Sequence, residues 1–310
     1  MRIFITGGAG FLGKQIIKHY YSDNEITIFS RDEAKHYYLM KQFPKVKCII
    51  GDVSNYDLLK RASSGHDIGI FAASLKQIEA VDQNVEVALS TIIQGAVNSR
   101  RVAEENEFKS ACFISTDKSR SATTLYGSMK FVAGELFIVN AESSNVKLST
   151  AIYGNVLNST GSIIPLIWDS IKNKYSLTLF STDMTRFMID ADDAVNVIKK
   201  SLQYNGYNII PNINSFKVLD LFEIYANEFG LKYNIGKPRI SEKLHEIMIS
   251  KEEVPRTTFN NEENIFLMHY KNIVTENKML FDEFSSRDNV VNKNDLYELL
   301  KKNSFYQNVY

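Results

Sequence analysis

The chain is poor in cysteine, proline, tryptophan and histidine: two, five, one and five residues in 310. Two cysteines rule out a disulfide scaffold, and no CxxC pair is present to hold a metal. Cys48 and Cys112 lie in apolar, strand-like runs, KCII and ACFIST, so buried structural thiols are expected rather than reactive ones. Neither charge is in excess, since 36 Lys and Arg balance 36 Asp and Glu. That argues against a protein whose main task is gripping nucleic acid, because neutralising phosphates takes a positive surplus. No apolar run approaches the ~20 residues of a membrane span. The sequence opens on a strand-like run rather than a basic-plus-apolar leader. A soluble, cytoplasmic protein is expected. The hydrophobic fraction of 44% can build a substantial core, and 23% charged residues is ordinary for a globular chain. Length alone suggests about two domains.

What is present is an alternation. Arg2 to Thr6 reads as a short apolar strand, Gly7 to Gly10 as a turn, Phe11 to Tyr21 as a helix and Glu25 to Ser30 as a second strand. Strand-like runs recur at 48–52, 68–73 and 111–116, with a long helical stretch from Val81 to Asn106. Buried strands separated by helices imply parallel strands joined by right-handed crossovers. The expected fold class is α/β, a doubly wound parallel sheet. After about Asn155 the pattern becomes irregular. Residues 1–155 are read as a cofactor-binding domain to which some later segments return. Residues 156–310 are read mainly as a smaller substrate domain, ending in a packed helix after Asn292.

Gly7, Gly10 and Gly13 form GxxGxxG between the first strand and the first helix. A tight turn, close approach of the backbone to a pyrophosphate and a helix N-terminus facing it make a dinucleotide site. The residue ending the second strand selects the dinucleotide, an acid for NAD and an arginine nearby for NADP. Here Ser30-Arg31-Asp32 stands there. NADP is favoured over NAD. Asp32 serves either as a displaced acid or as a helix cap. Asp52, ending the third strand, is placed to bond the adenine edge.

Tyr followed four residues later by Lys occurs five times, so the spacing alone selects nothing. Position selects Tyr126 and Lys130, which open a helix after the strand ending in Ser115 and Thr116. One helical turn puts both on one face. A nearby ammonium would lower the phenol pKa, so that Tyr126 takes a proton from a sugar hydroxyl held by Thr116. A helix-surface pair is the plainer alternative. Asp117 and Lys118 follow Thr116 at the carboxyl end of a strand, where α/β sites form. Taken alone they are a solvated loop pair. Beside a Tyr/Lys centre they become an acid and a base for a second step.

With TGGAGFLG, FSRDEAK, IGDVSN, AASLKQ, STDKS, LYGSMK, YGNV, MTRFMI and EKLHEIMIS in order, the sequence resembles the inverting UDP-N-acetylglucosamine 4,6-dehydratases of polysaccharide biosynthesis. These are extended short-chain dehydrogenase/reductases with a Rossmann domain. The resemblance implies that Tyr126, Lys130 and Thr116 oxidise the sugar at C4. Lys118 then removes the C5 proton, Asp117 protonates the departing C6 hydroxyl, and C5 is reprotonated on the opposite face. It places the cofactor at Gly7, Gly10, Phe11, Leu12, Gly13, Ser30, Arg31, Asp52, Val53 and Ala72, with Lys76, Tyr126 and Lys130. Lys76 lies near both cofactor and substrate. Asn155, Arg186 and Arg239 match positions that hold the nucleotide diphosphate, and Glu242 a ribose contact. No metal is implied. A homo-oligomer, dimer or hexamer, is expected, built on a four-helix contact from Val81–Asn106 and Tyr126–Ala141.

The chain also departs from the family pattern. Thr160 and Ile152 stand at usual arginine positions, Ile92 replaces an asparagine that supports the lysine, and Met188 replaces a tryptophan. His245 is a family feature of unassigned role. The other histidines are read as surface residues. Two readings compete with the dehydratase: a C4 epimerase or simple oxidoreductase, and a catalytically weak NADP-binding module.

Overall fold

The computed structural model describes residues 1–237, 242–273, 279 and 281–307. Six strands come first: β1 (Arg2–Thr6), β2 (Glu25–Ser30), β3 (Lys47–Ile50), β4 (Ile68–Phe71), β5 (Ser110–Ile114) and β6 (Lys147–Ala151). Ten more follow: β7 (Asn155–Val156), β8 (Leu177–Leu179), β9 (Thr185–Ile189), β10 (Tyr207–Pro211), β11 (Ser215–Lys217), β12 (Tyr233–Ile235), β13 (Ile247–Ile249), β14 (Thr257–Asn260), β15 (Ile265–His269) and β16 (Phe284–Ser285). The first helices are α1 (Phe11–Tyr20), α2 (Glu33–Gln42), α3 (Tyr56–Ser63), α4 (Ile78–Gln83), α5 (Val85–Ala88) and α6 (Gly95–Glu105). Then come α7 (Leu125–Ile138), α8 (Ile163–Asn173), α9 (Ala191–Ser201), α10 (Val218–Phe229) and α11 (Lys293–Lys302).

Nine strands form one sheet in the order β14-β15-β10-β6-β5-β4-β1-β2-β3. The seven from β10 to β3 are parallel, and β15 and β14 close the edge antiparallel. This is the doubly wound α/β fold expected from the alternation. The strand order reverses between β1 and β4, which places a crevice at their carboxyl ends. Apolar residues cover both faces, as a parallel sheet requires. One face packs Ile3, Ile5, Ile16 and Ile17 with Val195 and Ile198 of α9. The other packs Phe4, Phe71 and Phe113 with Val102 of α6 and Phe137 of α7.

After β6 the chain leaves the sheet and returns to it with β10, β14 and β15. Between these visits it builds a three-stranded sheet, β11-β9-β7. A separate apolar cluster joins α8, α10 and α11 through Trp168, Phe222, Tyr225, Leu296 and Leu300. The helix expected after Asn292 is α11, and the Asn292 side chain caps it by accepting from Asp295 N–H at 2.9 Å.

The helix expected over 81–106 is interrupted. Asn84 is non-helical at φ −135°, ψ 56°, and its side chain bonds the Ala80 carbonyl at 2.9 Å, competing with the backbone ladder. A π-helical turn over Leu89–Gln94 then leads into α6. Among the described residues no helix is long and apolar enough to cross a membrane, and no His, Cys, Asp or Glu cluster is placed to hold a metal ion.

Candidate active site

The glycine turn forms a cradle. Gly7 has φ +70°, and a Cβ there would press on the Ala72 and Ala73 backbone at 3.0 and 2.9 Å. A Cβ on Gly13 would collide with the Gly8 backbone, so α1 lies this close to the turn only because Gly13 lacks one. Gly10 precedes α1 and no side chain caps its first turn. The first-turn N–H groups, including those of Phe11 and Leu12, therefore stay available to an anion. These features fit a dinucleotide pyrophosphate. Val53 is buried and Ala72 half-buried at the neighbouring strand ends.

At the end of β2 the Ser30 hydroxyl pairs with His36 Nε2 at 2.6 Å. His36 is thereby buried on α2, 2% exposed, which corrects its reading as a surface residue. Sequence periodicity missed it because a polar partner, not an apolar neighbour, draws it in. Asp32 caps α2, accepting from Lys35 N–H at 3.0 Å. The half-exposed Arg31 lies 3.2 Å from Asp52. Asp52 also accepts from the Ser54 N–H and hydroxyl at 2.9 and 2.8 Å.

The chemistry-bearing residues meet at the carboxyl end of β5. Thr116 and Asp117 lie before and within a 3₁₀ turn over Asp117–Ser119. Asp117 is 0% exposed. Its Oδ1 accepts from the Thr116 hydroxyl at 2.9 Å, Lys118 N–H at 2.8 Å and Lys118 Nζ at 3.3 Å. Its Oδ2 has no hydrogen-bond partner. Burial pushes the Asp117 carboxyl up, and Glu246 adds to this against the pull of Lys118. Burial thus favours the protonated carboxyl, while the Lys118 and Thr116 contacts favour the carboxylate. Burial works against the Lys118 ammonium, but Asp117 and Glu246 hold it above its usual range.

Tyr126 and Lys130 are both buried on α7. The expected lowering of the phenol is not seen. Burial pushes Tyr126 up to about 12, against the pull of the Lys118 cation and a Thr116 hydrogen bond. Lys130 donates to the Ile114 carbonyl at 2.5 Å and sits over the Phe113 ring at 4.5 Å. Burial alone brings it down to about 7.

Arg186, in β9, is buried and paired with Glu242, and its Nε lies 3.8 Å from Glu246. Asn155, in β7, stands beside Lys118, Oδ1 to Nζ at 3.5 Å. Lys76 reaches across to the Thr160 carbonyl. Arg239 lies outside the described residues. The neighbouring histidine of EKLHE, His245, turns away to the Thr185 hydroxyl at 2.7 Å, while Glu246 turns to Lys118 at 3.4 Å. Glu246 and Lys243 were not singled out from sequence, because nothing in EKLHE says which charged side chain faces the loop at 117–120. Ile152 and Met188 are buried in apolar clusters. Ile92, 1% exposed in the π-helical turn, packs into the same cluster as Tyr126 and Met129.

The family profile described as "Polysaccharide biosynthesis protein" matches residues 3–269. The inverting UDP-N-acetylglucosamine 4,6-dehydratase of Campylobacter jejuni is 34% identical, the match covering 81% of this chain and 78% of that protein. The UDP-glucose 4-epimerase of Rickettsia bellii is 32% identical, covering 82% and 79%. The X-ray structure of Pen from Bacillus thuringiensis superposes with a TM-score of 0.89 and 24% identity, covering 98% of each chain. The chain therefore belongs to the polysaccharide-biosynthesis family that contains the inverting UDP-N-acetylglucosamine 4,6-dehydratases, enzymes of the nucleotide-sugar dehydratase and epimerase group on the extended short-chain dehydrogenase/reductase fold.

Proposed function

We propose that the protein is an NADP-dependent 4,6-dehydratase of UDP-N-acetylglucosamine, acting with inversion at C5. The observation that carries this reading is the pair of a buried Asp117 and a partly exposed Lys118 on the turn packed against α7, which carries Tyr126. An epimerase or simple oxidoreductase needs Tyr126 but has no use for a second acid and base. A binding module without chemistry has no use for a fully buried Asp117 whose carboxyl is pushed up by burial. The bound dinucleotide supplies the hydride acceptor and donor. Tyr126, as its phenolate and aided by Lys130 and Thr116, takes the C4 hydroxyl proton. The C4 ketone acidifies C5–H, Lys118 removes that proton, and Asp117 gives its own to the C6 hydroxyl, which leaves as water.

Residues 1–155 are assigned to cofactor binding and 156–310 mainly to the nucleotide sugar, with β10, β14 and β15 returning to the main sheet. Asn155, Arg186, Arg239, Glu242 and Lys76 are the assigned substrate contacts. An arginine suits a diphosphate through bidentate bonds. Incubation with UDP-N-acetylglucosamine should give a product lighter by one water, read by mass spectrometry, with the C5 configuration read by NMR. An isomer of unchanged mass would instead establish the epimerase reading, which the Rickettsia relative favours.

At the end of β2 Asp32 caps α2 and the half-exposed Arg31 pairs with Asp52, and we assign Arg31 to the 2′-phosphate of NADP. Denatured protein should therefore release NADP(H) without any having been added. Release of NAD(H) alone would overturn the assignment of Arg31.

Val87, Leu89 and Val97 near α6, and Leu125, Phe131, Val132 and Leu136 on α7, are exposed apolar side chains. We assign this face to contact between two copies of the chain. Light scattering at micromolar concentration should report a dimer or a multiple of it, and a monomer would exclude the contact.

A further inference from the structure

Lys243 has no part in the reaction as derived above, yet it joins the segment carrying Glu242 to the turn carrying Asp117 and Lys118. That segment is held firmly on its own side. Glu242 pairs with the buried Arg186, and the Leu244 carbonyl accepts from the Thr185 N–H at 3.0 Å. The Glu246 N–H donates to the Ser286 hydroxyl at 2.9 Å. From this fixed base Lys243, largely buried, donates from Nζ to the Arg120 carbonyl at 2.6 Å. It lines one cleft with Lys118, Thr124, Glu242 and Glu246.

The turn is anchored at both ends. At its entry the Asp117 N–H donates to the Tyr153 carbonyl at 3.1 Å. At its exit the Arg120 N–H returns to the Asp117 carbonyl at 2.9 Å, and the Arg120 guanidinium is buried against Glu135 and Glu253. Those bonds fix where Arg120 sits. They do not fix the direction of its carbonyl, which is set by the Arg120–Ser121 peptide. Ser121 has φ +45°, in the left-handed region that a residue with a Cβ enters at a cost and keeps only where its surroundings impose it. Ser121 is exposed, so packing of its own side chain does not impose it. The bond from Lys243 grips the peptide immediately before it.

We infer that Lys243 is a positioning residue for dehydration: by gripping the Arg120–Ser121 peptide it holds the turn, and with it Asp117 and Lys118, in the conformation that step uses. This rests on the dehydratase reading. Lys243 acts through the backbone and needs no contact with the sugar. Thr116 precedes the entry anchor, and Tyr126 and Lys130 lie on α7, so C4 oxidation does not depend on this latch. Without Lys243 the Ser121 backbone relaxes towards negative φ and the Arg120 carbonyl swings. The two side chains assigned to C5 and C6 then move with the turn.

The test uses the full protein with its bound cofactor and UDP-N-acetylglucosamine. Loss of water is read by mass spectrometry and C4 oxidation by cofactor absorbance. In Lys243→Met, kcat for loss of water should fall about 10²-fold, the cost of a misplacement of about 1 Å. KM, and the reduction of cofactor on adding substrate, should stay at wild-type values. Adding Ser121→Gly to that variant should recover most of the loss, because glycine enters the left-handed region without a latch. Ser121→Val alone leaves Lys243 in place and makes that region costlier. It should show the same selective loss, and it decides the matter where the methionine variant fails to fold. An unchanged kcat in Lys243→Met overturns the inference, as does an equal loss of C4 oxidation or a failure of Ser121→Gly to restore dehydration. A raised KM with kcat unchanged also overturns it, and makes Lys243 a substrate contact instead. A wild-type protein that oxidises C4 without ever releasing water overturns the dehydratase reading itself, and this inference with it.

Discussion

Lys118→Met is expected to oxidise the sugar at C4 and then stop. The bound cofactor should be reduced on addition of substrate, with no loss of water and no exchange at C5. The reason is positional: Lys118 is the cation between Asp117, Glu246 and Asn155, while C4 oxidation depends on Tyr126. Asp117→Asn should likewise block dehydration, since the group assigned to protonate the C6 hydroxyl would be gone. Tyr126→Phe should show no cofactor reduction at all, because no group then accepts the C4 hydroxyl proton. A positioned acid or base contributes roughly 10²–10⁴-fold, so each loss lies well outside assay error. Absorbance of the reduced cofactor and mass spectrometry of the sugar read the two stages separately. Normal turnover by Lys118→Met would reduce the Asp117–Lys118 pair to a loop feature and leave the epimerase as the better reading.

Arg120→Met should lower the free energy of unfolding by about 3–5 kcal/mol, the usual result of removing one partner from a buried ion pair. Arg120 is fully buried. It bonds Glu253 at 2.6 Å and Glu135 at 3.2 Å, and Arg256 pairs with the same two carboxylates at 3.1 and 3.6 Å. Lys243 donates to the Arg120 carbonyl at 2.6 Å. The network ties the turn carrying Asp117 and Lys118 to the segment carrying Glu246. Burial works to raise Glu253, but Arg120, the Ser250 N–H and Arg256 hold it below the usual range. A lowered carboxylate adds stability above its unfolded pKa of about 4.3 and loses it as pH falls through the folded value. Without Arg120 burial prevails, so the variant's deficit should be largest near neutrality and shrink below about pH 4. Denaturant unfolding at the two pH values checks this. A deficit below about 1 kcal/mol, or one that grows in acid, would show that Arg256 alone suffices for both carboxylates.

The parts of the fold built from local pattern were legible in the sequence. β1 and β2 occupy the runs read for them, because apolar strands and a glycine turn carry their signals within a few residues. The turn at Gly7–Gly13 was legible for the same reason, since its demands are those of missing Cβ atoms. The helix over 81–106 was misread where Asn84 bonds backward to Ala80, a local competition that hydrophobic periodicity does not register. His36 was misplaced because its burial depends on one hydroxyl, that of Ser30.

The sequence by itself determined the doubly wound sheet, the dinucleotide cradle and the residue types of the reaction centre. All of these follow from short-range order along the chain. Only the tertiary structure decided the electrostatics of that centre. It buried Asp117 against Glu246, a residue 129 positions away in number but adjacent to Lys118 in space. It set Lys130 on the Ile114 carbonyl and buried Tyr126 deeply enough to push its phenol up to about 12. Charge and burial depend on which distant segments pack together, and no spacing within the sequence encodes the dielectric in which a carboxylate or a phenol must ionise.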